Sequence, residues 1–87
     1  MNGIITVIGK DQVGIIAKVC GYLSESGVNI LDISQTIVSG FFNMLMIVDM
    51  TNSDFEGVAT ELERLGEQIG VKIKLQHEDI FNSMHRI

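Results

Sequence analysis

Gly9-Lys10-Asp11-Gln12-Val13-Gly14-Ile15 closes a β-like run and opens a helical one. Upstream, residues 3–9 (Gly-Ile-Ile-Thr-Val-Ile-Gly) are rich in β-branched side chains and bounded by glycines. Nearly every position is apolar, so this strand is expected at the centre of a sheet. Downstream, Asp11 is a good helix N-cap, and Val13, Ile16, Ala17, Cys20 and Leu23 follow at steps of three or four as one apolar stripe. Gly27 ends the helix in the position that favours a left-handed residue. A strand, a tight turn and a helix start gather free backbone N–H groups at one point. Such a point favours a carboxylate or a phosphate.

The same pattern returns in the second half. Asp11-Gln12-Val13-Gly14 aligns with Asp54-Phe55-Glu56-Gly57, and Gly27-Val28-Asn29-Ile30 with Gly70-Val71-Lys72-Ile73, both at an offset of 43 without gaps. Between them, residues 28–38 form a second strand, with Val28, Ile30, Leu31, Ile33 and Ile37 apolar and Asp32, Ser34 and Thr36 on the other face. Ser39-Gly40 is a hairpin signal. Residues 41–50 are a third strand with Phe42, Met44, Met46, Val48 and Met50 on one face. Its other face holds Phe41, Leu45 and Ile47 and is apolar enough to take a cover. Ser53 to Glu56 reads as a capping box. Phe55, Val58, Leu62, Leu65 and Ile69 then mark an amphipathic helix closed by Gly70. Residues 71–76 alternate as a strand with one wet face. Asp79 to Ile87 reads as a short helical tail, with Ile80, Phe81, Met84 and Ile87 on one side.

Two βαβ units of equal length predict an α+β, ferredoxin-like βαββαβ sandwich. Its four antiparallel strands carry both helices on one face, because right-handed crossovers put them there. Eighty-seven residues are expected to form a single domain, 1–87, with a marginal core for which oligomerisation is a common remedy. The hydrophobic fraction of 46% suggests apolar surface that a partner covers. The second strand is the expected sheet edge.

Composition argues against several functions. The net charge is −5 and the six Lys and Arg are scattered, so nucleic-acid binding is not expected. The apolar runs are short, and neither a membrane span nor a signal peptide is expected. Cys20 is the single cysteine, which fits a reducing cytoplasm and a buried, inert thiol. His77, Glu78, Asp79 and His85 lack metal-ligand spacing, so no metal or other cofactor is called for. No Ser-His or Cys-His pair comes together for nucleophilic catalysis, and the first loop lacks the arginine that an acylphosphatase of this fold needs. No catalytic residue is assigned.

The halves differ where a ligand would notice. Val13 is matched by Glu56, a carboxylate that already occupies the positive helix end and repels anions. Asn29 is matched by Lys72, which has no acceptor for an ammonium. The first half therefore suits a zwitterion and the second satisfies itself.

The strand–Gly-Lys-Asp-Gln-Val-Gly-Ile-Ile-Ala–helix followed by Gly-Val-Asn-Ile resembles an ACT domain, in particular the stand-alone bacterial and archaeal ACT proteins. The Ile33-Ser34-Gln35-Thr36 segment and the tail from Ile80-Phe81 to His85 fit that group, which is related to the longer, two-copy repressors of the glycine cleavage system. The resemblance implies a non-catalytic regulatory module that binds a small amino acid as a homodimer. Ligands in such modules sit between the first loop of one subunit and the second strand of another. The matching positions are Asp11, Gln12, Val13, Gly14, Ile15, Asn29 and Ile30. In this reading, N–H groups around Val13 and Gly14 hold the α-carboxylate, and Gly14 removes a Cβ that would block approach. Asn29 accepts from the α-ammonium, while Asp11 either joins it or only caps the helix. The alternative is an ACT scaffold that docks a regulated protein partner and binds no small ligand. Side-by-side and back-to-back pairing both remain open at this level.

Overall fold

A computed structural model describes residues 1–10 and 14–79. The elements run β1 (Asn2–Gly9), α1 (Ile15–Glu25), β2 (Asn29–Val38), β3 (Phe41–Asp49), α2 (Phe55–Ile69) and β4 (Lys72–His77). The sheet order is β2-β3-β1-β4, and all three ladders are antiparallel. This is the ferredoxin-like architecture expected from the repeat, with the apolar β1 at its centre. The tail beyond Asp79 lies outside the described residues.

One face of the sheet builds the core. Val7 faces Met44 and Ile73, and Ile5 faces Met46 and Leu75. These side chains pack with Ile15, Val19 and Leu23 of α1 and with Val58 and Leu62 of α2. The helix stripe is shifted from the expected one. Ile15 and Val19 are buried, Ile16 and Cys20 are half-buried, and Ala17 is exposed. α1 also starts later than expected, with Gly14 in the left-handed region (φ 78°) as its N-cap. Asp11 itself lies outside the described residues.

Close approaches bind α2 and β1 to the start of β4. A Cβ on Gly66 would stand 2.7 Å from the Val71 carbonyl oxygen, and one on Gly9 would stand 2.3 Å from Val71 Cγ1. The Val71 N–H donates to the Gly66 carbonyl at 2.9 Å. At the other end of α2, the Phe55 and His77 rings stack with centroids 3.9 Å apart. The expected capping box does not form: Asp54 is the N-cap and Ser53 precedes it.

The hairpin at Ser39-Gly40 has positive φ at both residues (52° and 83°), the conformation whose twist matches that of the flanking strands. β2 is the outer strand beside β3 and is exposed at every position except Ile30. Its pairing slips between Ile30, opposite Val48, and Asp32, opposite Ile47, which leaves Leu31 as an extra residue.

Hydrogen bonds at the end of β3 hold β1 in place. The Met50 N–H donates to the Met1 carbonyl at 2.8 Å. Thr51 donates its hydroxyl and, at 2.9 Å, its N–H to the Asp49 carboxylate. These two bonds, the hydroxyl's first, hold the Asp49 carboxyl below its ordinary range. A carboxyl depressed in the folded state stabilises the fold above its unfolded-state range, and that contribution is lost as pH falls through the lower folded value. Thermal unfolding of the native protein should therefore weaken more steeply than that of Asp49→Asn between about pH 4 and pH 2. Melting curves over that range check this, and parallel curves would contradict it.

Candidate functional site

The first turn of α1 has no acidic residue and, among the described residues, no side-chain cap. Lys18 N–H donates to the Gly14 carbonyl at 3.0 Å as the first bond of the helix, so the preceding N–H groups of the first turn have no partner within it. The equivalent end of α2 differs. It carries Glu56 in its first turn, and the Asp54 carboxylate lies over Gly57, where a Cβ would meet Asp54 Oδ2. The two helix ends thus differ in acidic residues, while Val13, which the sequence matches with Glu56, lies outside the described residues. The paired glycines also have different reasons to be glycine. Gly57 makes room for Asp54, whereas Gly14 has nothing within 4 Å of its Cβ direction among the described residues and needs its positive φ.

A cleft of about 480 Å³ adjoins the α1 start, between its first turn and the distal half of β2. Ile16, Gln35, Thr36, Ile37 and Phe42 line it. Ile16, Ile37 and Phe42 were expected as apolar positions of the helix and strands, and none of the five was expected as a site residue. The signal was available: Gln35 and Ile37 alternate on the helix-facing side of an edge strand that α1 does not cover. The side chain of Ile15 is buried in the core, so its backbone alone can reach a ligand.

Asn29 and Ile30 lie elsewhere. They line a second cleft, of about 410 Å³, with Cys20, Ser24, Gly27 and Val28. Asn29 pairs with Asp49, which pairs with Asn2, whereas Ile37 pairs with Phe42, which pairs with Gly9. The two clefts thus sit at opposite ends of β2, roughly 25 Å apart at the rise of a strand. Within one chain, Gly14 and Asn29 do not meet. Asp11, Gln12 and Val13 lie outside the described residues. Among the described residues, no group of three or more His, Cys, Asp or Glu is placed to hold a metal ion, and no helix is long and apolar enough to cross a membrane.

Comparison with known proteins agrees with the fold. The ACT domain profile matches residues 3–76. A UPF0237 protein of Bifidobacterium longum is 60% identical, over 99% of this chain and 98% of that protein. The structure of an ACT domain protein from Streptococcus pneumoniae superimposes with a TM-score of 0.84 at 44% identity, covering 93% of each chain. The regulatory subunit of aspartate kinase from Thermus thermophilus gives a TM-score of 0.69 at 30% identity, over 88% of this chain and 51% of that one. ACT domains are regulatory modules that often bind amino acids. With a profile match across most of its length and a full-length relative at this identity, the chain belongs to the ACT domain family.

Proposed function

We propose that this protein is a non-catalytic, cytoplasmic regulatory module, a single ACT domain, that senses a small amino acid as a homodimer. The observation that carries the reading is an α1 start with no acidic residue in its first turn and, among the described residues, no side-chain cap, beside a cleft at one end of β2 with Asn29 at the other. Antiparallel pairing of β2 with β2 of a second copy reverses the strand. It brings Asn29 and Ile30 of one subunit towards the Gly14 and Ile37 end of the other. In this reading the α-carboxylate meets N–H groups around Gly14 and Ile15 at the helix start, and Asp11, Gln12 and Val13 are the remaining candidates of the first loop. The partner's Asn29 accepts from the α-ammonium, and Ile16, Ile37 and Phe42 receive the side chain. Gln35 and Thr36 give the same cleft a polar side, so it suits a small amphipathic ligand.

Isothermal titration with the twenty amino acids should find a ligand with micromolar to millimolar affinity. Gly14→Val forces a β-branched residue into a left-handed conformation beside the carboxylate site and should lower that affinity at least about tenfold. Asn29→Ala should do the same with the fold intact by circular dichroism. Absence of binding at millimolar concentration would leave the alternative, a scaffold that docks a regulated protein without a small ligand.

A further inference from the structure

The outer edge of β2 holds one hydrogen bond that a neighbouring strand would have to break. The Met50 N–H donates to Met1, so Met50 and, by alternation, Met46 direct their backbone groups towards β1 and away from β2. Ile33 is paired with Met46, and its N–H therefore points to the outer edge. That N–H is occupied: it donates to Asp32 Oδ1 at 2.8 Å. Asp32 is exposed on this outer strand, and its carboxylate reaches the N–H of the next residue. Gln35 and Ile37 share the parity of Ile33 and also turn their backbone groups outward.

We propose that Asp32 is a gate on the β2 edge, whose carboxylate competes with the backbone of a second copy for the Ile33 N–H. The proposal rests on the homodimer reading above. An antiparallel strand can pair here only with outward residues opposite outward residues, so Ile33 faces the partner's Ile33, Gln35 or Ile37. Ile33 lies near the middle of the ten-residue strand, so an extended register engages its N–H. Pairing then turns two Asp32 side chains aside, one on each subunit, and frees two carboxylates into solvent. The exposed Leu31, Ile33 and Ile37 supply the apolar contact that favours the paired state. Charge on an edge strand is a known device against unwanted strand pairing. Here it sets the concentration at which the paired state, and the two-subunit site, forms.

Sedimentation equilibrium of the full chain, without added amino acid, tests this. Asp32→Ala should tighten the dimer about tenfold, because each subunit gives up an intramolecular bond of modest net strength. Asp32→Thr, which matches the neighbouring Ser34 and Thr36 and keeps strand propensity, should tighten it in the same direction. A dimer constant within twofold of the native one, or weaker, for both variants would overturn the gate while leaving the dimer standing. If native protein and both variants stay monomeric at millimolar concentration, the gate and the homodimer reading both fail.

Discussion

Gly66→Ala should destabilise the protein by about 2–3 kcal/mol and lower its unfolding midpoint by roughly 10 °C or more. Two effects oppose each other at this buried position in α2. Alanine is the better helix former, by about 1 kcal/mol. The new Cβ, however, would stand 2.7 Å from the Val71 carbonyl oxygen and 3.2 Å from Ile73 Cγ1. The first neighbour is backbone, and Val71 is held where it is by its own N–H bond to the Gly66 carbonyl. No rotamer change relieves the contact, so α2 has to move off β4 and its packing loosens along with it. Truncating Val71 should give no rescue, since the carbonyl remains. Chemical denaturation of Gly66→Ala and of Gly66→Ala/Val71→Ala decides the matter, and a single variant as stable as native would refute it.

Gly9→Ala is the companion case with the opposite rescue. A Cβ there would stand 2.3 Å from Val71 Cγ1 and 3.0 Å from Val71 Cβ, but 3.6 Å from Val71 Cα. The obstruction is a side chain. Gly9→Ala alone should cost about 1–3 kcal/mol by overpacking. Val71→Ala alone should cost about 1 kcal/mol, as its side chain is half-buried. Together they should cost less than their sum by 1 kcal/mol or more, a coupling that a double-mutant cycle reads directly. Strict additivity would mean that Val71 yields by another route. One residue thus meets two glycines, and only one of the two contacts is negotiable.

Much of this fold is legible in the residues. The matched Asp-x-x-Gly and Gly-Val segments give two βαβ units, and all six elements follow in order. Even the irregularity in β2 leaves a trace, because Ile30 and Leu31 are adjacent and apolar, and alternation has to change phase there. The start of α1 was not legible. Asp11 carries a strong local capping preference, and apolar residues at 13, 15, 16, 17, 19 and 20 allow several stripes, so the choice falls to the left-handed Gly14. The capping box failed for a similar reason: Ser53 and Asp54 both have capping propensity, and Asp54 takes the position. Cys20, expected to be buried and inert, is half-buried beside Asn29 because the stripe turned. The candidate residues were legible as types and not as places. Sequence spacing cannot show that Gly14 and Asn29 fall at opposite ends of one strand. Nor does periodicity carry a bond such as that from Ile33 to Asp32, which depends on which way a single N–H points.

The strand order also bears on how such a chain could arise. β1 and β2 come from the first half, β3 and β4 from the second, and in the order β2-β3-β1-β4 every ladder joins one half to the other. Neither half contains two strands that touch. An ancestral unit of half this length would have had no sheet of its own and would have existed folded only as an entwined pair. Two such units joined through a two-residue turn would hold that mutual requirement within one chain. Each half would then be free to change separately, as at the two helix starts, of which only that of α2 carries an acidic residue in its first turn.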